Sequence, residues 1–494
     1  MEKRLCGREQ EYGASFSGPY IKIPQLSTSE TLRDFDNLRS DLMKAIIDCI
    51  RRYSGVPYYN HYNGGHCWLA NGSLIYIDLL VFLEVASAEY RAGSLDGILQ
   101  EKASEKLINE AVQLIKVYRN LDQLQLYKNN VGPRSVNDLF QEVSYASHHN
   151  YSYVTDKRPE VFFLFKSFIP AALPLTGNGH VCRQQSGRVA YALSQRAPHI
   201  TVDESFNTRE DAGPRPIINN RDESLMDNSL SLSRLHIISR DATRCEFQTW
   251  LVDSITHLVL RLAEEGFAWQ APFLPDPVRE MQNINFCAEA NLDYEIEYYH
   301  GWKRKKMKLL EYNKLFLDAA RQLSPLSEEE KNILEEWERV LELLKAKAFD
   351  KLVGELDWVT KLAMLKNQMK KYGYELNEEA WRIDRMYHNI SSDPKESIFA
   401  RLDDLGYIRH LVSKMDIENA VLVAPATRAQ SRGDFIKKCW EHQKLKENIL
   451  TMNWDKAVLS KNIFPSQHAY FGEPLDPFST QSSSLEQVYK ILAL

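Results

Sequence analysis

Residues 71–89, NGSLIYIDLLVFLEVASAE, carry the reading on which the fold turns. Positions 74–80 are rich in Ile, Leu and Tyr and read as a strand of a half-buried sheet, yet Asp78 sits in the middle of it. An unpaired carboxylate is costly to bury, at ~2 kcal/mol or more even on lenient transfer scales. Asp78 therefore lies on the wet face of the sheet or meets a cation there. Glu84 and Glu89 follow at an even and an odd offset, so at most some of these acids share its face if the strand runs on. Glu9 and Glu11, in GREQEYG at residues 7–13, have the two-residue spacing that puts both carboxylates on one strand face. Two such acidic strands side by side make a magnesium site, and on these residues alone Asp78 is expected to bind metal.

The chain has 494 residues, enough for roughly two to four domains. With 44% hydrophobic and 26% charged residues it has ample apolar material for a large core. A formal net charge of -6 argues against nucleic acid as the main partner, which calls for a basic surface. Seven scattered cysteines without a CxxC pair exclude a zinc knuckle and a disulfide framework and fit a reducing cytoplasm. The N-terminus lacks the apolar stretch of a signal peptide. VFFLFKSFIPAALPL at residues 161–175 is interrupted by Lys166, Pro170 and Pro174 and is expected to be a core element, not a membrane span.

Along the chain, the patterning predicts a strand over 5–12, amphipathic helices over 27–53 and 97–119, and between them an aromatic loop at 53–68 with a Gly64-Gly65 pair. Strands are expected at 123–128, 151–155 and 188–195, with His148, His149 and Asn150 in a loop, a tight turn at 177–179, and a long polar loop over 203–233. Helices are expected at 249–265, at 295–323 with the basic run 303–308 as a solvated face, and at 328–348 behind a capping box of Ser327 and Glu330. Further helices are read at 352–372, 378–388 and 395–405, and short strands with Trp454 follow from about 417.

No phosphate loop, dinucleotide fingerprint, GxSxG, HExxH or zinc-deaminase pattern is present, so any nucleotide is held another way and the acidic clusters are the surviving chemistry. Taken singly, each has a plain structural reading. Glu9 and Glu11 make a solvated strand face, His148 and His149 are surface histidines, Arg215, Arg221 and Asp222 form a loop salt bridge, and Trp454 is a core residue.

Together these residues carry a resemblance. GREQEYG at Gly7 resembles an opening GxExE(F/Y)G, NGSLIYID at Asn71 resembles NGARLY(L/V)D, and LYKNN at Leu126 is the same as LYKNN. LSQRAPHI at Leu193, RPIINNRDE at Arg215, RLHIISRDA at Arg234, ELDWVTK at Glu355 and ATRAQSRGDFI at Ala426 follow in the same order. Eight such blocks make the chain similar to the Pup ligase and depupylase family, which attaches or removes a small ubiquitin-like protein.

The resemblance implies an α+β fold: a glutamine-synthetase-like curved antiparallel sheet cradle packed by helices, with residues 1–415 as the catalytic domain and 416–494 as a small C-terminal domain. It implies ATP and Mg2+ in the cradle. Glu9, Glu11 and Glu84 fall on metal positions, with His149 beside them where the family's HENY has a glutamate. Asp78 falls on the catalytic aspartate, the base that takes a proton from a lysine amine. Arg221 would face the phosphates and Trp454 the adenine, while Arg196 and His236, from matched blocks, join them as nucleotide-binding candidates. Further departures are Phe82-Leu83 for His-Pro, Arg240 for glycine and Thr243 for asparagine.

The activity implied is a ligase joining the side-chain carboxylate of a modifier's C-terminal Glu to a lysine of a target protein through an acyl phosphate. The alternatives are a depupylase hydrolysing that isopeptide bond and a divergent ATP-binding relative with another partner. The step from Asp78 to Glu84, RGDFI and YHNI are ligase-like, whereas LQLYKNNV and TGNG lean toward the depupylase. The balance favours the ligase, with the small modifier and lysine-bearing proteins as partners and neither nucleic acid nor membrane.

Overall fold

The alternation of apolar and polar side chains seen in the sequence builds a sheet with one face against helices, mostly antiparallel as expected but mixed, since Val202–Ser205 and Pro216–Asn219 pair parallel. The structure, a computed structural model, describes residues 4–18, 29–61, 65–78, 82–135, 138–145, 147–184, 186–206, 213–221, 232–289, 292–373, 375–472, 480 and 483–494. The chain divides into two compact units, one of Met1–Arg4, Tyr127–Asp222 and Ser233–Leu411, the other of Leu5–Leu126, Glu223–Leu232 and Val412–Leu494.

The second unit begins with strand β1 (Leu5–Ser17) and helix α1 (Ser29–Tyr53). Strands β2 (Tyr58–His61), β3 (His66–Leu69), β4 (Leu74–Asp78) and β5 (Phe82–Ala86) follow, then helix α2 (Asp96–Tyr118). The strands lie in the order β1-β5-β4-β3-β2, every pair antiparallel. Tyr12, Ile75, Leu83 and Val85 fill one face, and α1 covers it with Met43, Ile46, Ile47 and Ile50. Each such aliphatic side chain contributes about 1.5–3 kcal/mol when fully buried. The last segment adds a helix, Arg428–Glu441, and a three-stranded sheet of Ile449–Met452, Lys456–Leu459 and His468–Tyr470. Its core of Phe435, Ile436, Met452, Leu459, Phe464 and Phe471 is continuous with Tyr59 and Trp68.

The first unit is organised around the helix Glu246–Glu264, buried along almost its whole length. Helices Arg158–Ala171, Leu309–Ala320 and Glu328–Lys345 surround it. Its strands run in the order Val202–Ser205, Pro216–Asn219, Leu232–Ile237, Ser147–Val154. The apolar stretch at 161–175 is core, as expected, and no helix among the described residues is long and apolar enough to cross a membrane. Ser327 and Glu330 form the expected capping box.

Four local expectations are corrected. The aromatic loop at 53–68 is the β2/β3 hairpin, in which Tyr59 and Trp68 face each other across the strands; Gly64 lies outside the described residues. His148, His149 and Asn150 sit inside the strand Ser147–Val154, because Tyr151 and Tyr153 anchor it in the core. The polar loop at 203–233 contains the strand Pro216–Asn219, buried at all four positions, although 207–212 and 222–231 lie outside the described residues. The helix at 295–323 is a hairpin, Glu295–His300 with Lys303–Lys308, followed by the helix Leu309–Ala320. Gly301, at φ 58°, makes the turn that a helix reading passes over.

A buried polar cluster ties the helix Glu378–Tyr387 to the strand His180–Arg183. His180 Nδ1 lies 3.2 Å from Asp384 and its Nε2 2.9 Å from Glu142. The Lys361 ammonium donates to Asp384 and, at 2.6 Å, to the Gly179 carbonyl. Burial alone would lower the His180 pKa, but the Glu142 and Asp384 carboxylates outweigh it and raise the imidazole to about 9. A raised folded-state pKa means stability present in full below the unfolded value near 6.5 and lost as pH rises through about 9. Replacing His180 with Gln should flatten the pH dependence of the urea-unfolding free energy across that window, by roughly 3 kcal/mol; an unchanged slope in the variant would remove His180 as its source.

Candidate active site

Strand register settles which acids share a face. In β1 and β5, Glu11 lies opposite Glu84 and Glu9 opposite Ala86; in β5 and β4, Glu84 lies opposite Tyr76 and Phe82 opposite Asp78. Residues opposite each other, and residues two apart on one strand, point the same way. Glu9, Glu11, Glu84, Tyr76 and Asp78 therefore stand on one face of the sheet, away from α1. The strand does not run on from Asp78 to Glu84: the chain reverses between β4 and β5, residues 79–81 lying outside the described residues, and the even offset survives as a cross-strand one.

Ligand oxygens of Glu11, Asp78 and Glu84 all lie within 4.8 Å of one another. Burial pushes the Glu84 carboxyl well above the usual range, and the negative charges of Glu11, Glu9 and Asp78 add to that, while a hydrogen bond from the Tyr76 hydroxyl works in the opposite direction. Tyr76 is in turn driven upward by burial and by Glu84 and Glu9. This crowd of hard oxygen donors is the donor set a small dication takes, and a dication relieves the repulsion that raises Glu84.

Glu89, five residues on from Glu84, has the opposite environment. Arg428 Nε donates to it at 2.6 Å, and Arg432 pairs with it as well. Burial would raise this carboxyl, but Arg432 and Arg428 overcome it and hold it at about 2. Glu89 is thus held as a structural anion, whereas burial and anionic neighbours favour the protonated form of Glu84. Arg432 also donates to the carbonyls of Gly72 at 2.7 Å and Trp454 at 2.6 Å. Its guanidinium lies 4.8 Å from the Trp454 ring centroid and 5.4 Å from that of Trp68. The two indoles meet edge to face at 4.8 Å. Trp68 lies opposite Leu74 and His66 opposite Tyr76, so Trp68 and His66 share the acidic face, with Trp454 packed on the former. Arg428 and Arg432 enter the sequence reading only within the ATRAQSRGDFI block, and Trp68 only as the end of the aromatic loop at 53–68; none is singled out there as a partner.

The other sequence candidates belong to the first unit. His149 is buried, with Nδ1 3.3 Å from the Tyr151 hydroxyl and 3.9 Å from Asp253, and Tyr151 donates to Asp253 at 2.7 Å. His236 is buried and meets His148 edge to face at 4.8 Å. Arg221 is half-buried and follows Asn219, whose side chain accepts from its backbone N–H at 2.9 Å. Arg196 directs its guanidinium at protein acceptors: the Ile238 carbonyl at 2.6 and 3.1 Å, Ser144 Oγ at 2.8 Å and the Tyr145 carbonyl at 3.0 Å. Its backbone N–H donates to Asp241 at 3.0 Å, so Arg196 braces a loop. Thr243, one of the departures, exchanges a 2.7 Å hydrogen bond with Thr249.

The family description "Pup-ligase protein" matches residues 4–458. The chain belongs to this family. Among curated members, the Pup--protein ligase of Acidimicrobium ferrooxidans is 28% identical over 440 residues, covering 85% of this chain and 91% of the relative. That of Xylanimonas cellulosilytica is 28% identical, covering 94% of this chain and 97% of the relative. Two solved structures share the fold. The complex of the prokaryotic ubiquitin-like protein Pup with its ligase PafA aligns with a TM-score of 0.76 at 22% identity, covering 100% of this chain and 93% of that one. PafA with ADP aligns at 0.72 and 23% identity, covering 97% of each. The α+β fold expected from the sequence, a sheet packed by helices, is thus the fold these structures share.

The contrast between Glu84 and Glu89 sets a test. Glu84→Gln keeps the Tyr76 hydrogen bond and removes one charge, so without metal the variant should melt higher by a few degrees, the scale of ~1 kcal/mol. The gap should widen as pH rises above the carboxylate range, since the ionised form of Glu84 is the costly one. If magnesium binds the cluster it should shift the melting of the parent protein upward in calorimetry, and the same variant should lose most of that shift; a full shift in the variant would take Glu84 out of the ligand set.

Proposed function

We propose that this protein is an ATP- and magnesium-dependent ligase that joins the side-chain carboxylate of the C-terminal Glu of a small Pup-like modifier to lysines of target proteins. The observation that carries the reading is the Glu11, Asp78 and Glu84 cluster, within 4.8 Å on one face of the sheet, in a chain of the Pup-ligase protein family. The family's named ligases and the PafA structures with Pup and with ADP supply the substrate and the nucleotide.

In this reading Glu9, Glu11 and Glu84 hold magnesium, and Trp454, on the same face, flanks the adenine. The resemblance assigns Arg221 and His236 to the nucleotide, and His149, where the family has an acid, to the metal. Arg196 acts through the loop it braces. The nucleotide supplies the phosphoryl group that turns a poor acyl donor into a good one, and the dication offsets the charge that gathers there. Asp78, half-buried at the edge of the cluster, accepts the proton of the lysine ammonium so that the free amine attacks. Glu84, buried and raised, is unsuited to that task while it is needed as a ligand. The protein works in the cytoplasm, in keeping with seven free cysteines, and residues 416–494 are its small C-terminal domain, which shares its core with Tyr59 and Trp68.

Asp78→Asn should retain ATP binding and lose turnover by about 10²-fold or more, the scale of a general base. Incubation with ATP, magnesium, a Pup-like protein ending in Glu and a lysine-bearing acceptor, followed by intact mass, should give an adduct with ADP release. Cleavage of a preformed adduct without ligation would instead assign the hydrolase, and ATP binding with neither reaction would assign a different partner.

A further inference from the structure

The hairpin Glu295–His300/Lys303–Lys308 has no part in the proposed reaction, yet five of the six residues of its second strand are basic. Its root is fixed. Ile296 and Tyr298 are buried, the Tyr298 ring sits 5.3 Å from that of Tyr312, and Tyr299 exchanges two 2.8 Å backbone hydrogen bonds with Phe273. Its tip is bare. Trp302 is 100% exposed, and His300, Lys303, Arg304, Lys305, Lys306 and Lys308 around it are exposed too. Arg304 is matched by Glu297, and Lys308 by Asp293 at 2.6 Å. Lys303, Lys305 and Lys306 make no ion pair among the described residues. Lys303 and Lys305 stand on the face of His300 and Tyr298, with which they are paired in register. The strand Lys303–Lys308 pairs with no described strand other than Glu295–His300, so its outer edge offers free backbone groups.

Lysines on an open edge discourage self-association, and that alone would account for them. It does not account for an indole held wholly in water at the end of a rigid turn, which is a contact surface awaiting a partner. We propose that this hairpin docks an acidic, extended segment of a partner protein, which adds to the outer edge of Lys303–Lys308 with its carboxylates on Lys303 and Lys305 and an apolar side chain on Trp302. Three features select this occupant. The hairpin gathers Lys303, Lys305 and Lys306, with no ion pair among the described residues, in a chain whose net charge is -6. A nucleic acid or an anionic membrane spreads its charge over a chain that is acidic overall, whereas a short acidic segment stays on the hairpin. Only a polypeptide can also use the free edge, through main-chain hydrogen bonds.

The test uses the full-length protein and a short fluorescein-labelled peptide alternating glutamate and valine. Fluorescence anisotropy should show saturable binding that weakens as salt is raised. Lys303→Glu with Lys305→Glu, and separately Trp302→Ala, should each weaken it by about tenfold or more, with melting temperatures unchanged. Amide hydrogen exchange over 303–308 should slow on binding. Absence of saturable binding, equal binding by both variants, binding without slowed exchange, or preference for oligothymidylate or phosphatidylserine-containing vesicles over the peptide would each overturn the proposal. Concentration-dependent dimerisation through the tip without peptide binding would overturn it as well.

Discussion

Repulsion among carboxylates held on one sheet face is the constraint around which the second unit is built. Two unit charges 4.8 Å apart repel by about 3 kcal/mol at an effective dielectric of 20. Side chains free to move would separate. These cannot, because the antiparallel register fixes Glu11 opposite Glu84 and turns Asp78 onto the same face. The register is held by burial of the other face: a one-residue slip would put Ile75, Leu83 and Val85 in water and the acids against α1. Apolar packing on one side thus maintains an electrostatic strain on the other, one that a cation would relieve.

The same sheet shows how a protein sorts acids of one type into different uses. Glu84 and Glu89 are both embedded and lie close in sequence, yet one is driven up by anionic neighbours and the other held at about 2 by two arginines. Neutralised by Arg428 and Arg432, Glu89 is a fastener between the end of β5 and the helix Arg428–Glu441. Burial alone therefore does not mark a functional acid; the sign of its neighbours does.

Much of this was legible in the sequence, for reasons that have limits. Period-two spacing disclosed the Glu9/Glu11 face, and the awkwardness of Asp78 within LIYID disclosed the wet side of the sheet. The α1 and α2 patterns matched the observed helices to within about two residues at each end. The partners of Glu89 lie 339 and 343 positions away, beyond any local pattern. The hairpin Glu295–Lys308 was read as a helix because a lysine-rich run has good helix propensity and little apolar contrast, while the decisive facts, the Gly301 turn and the burial of Ile296 and Tyr298, are tertiary. His148 and His149 were assigned to a loop for the same reason, since polar side chains in a strand are allowed by what the neighbouring tyrosines bury.

The pairing of Trp68 and Trp454 has an optical consequence. Indoles meeting edge to face at 4.8 Å, with a guanidinium near both rings, couple their electronic transitions and sense a nearby charge. The chain thus carries a chromophore pair on the same sheet face as its acidic cluster. Near-ultraviolet circular dichroism then follows the geometry of that face without any added label.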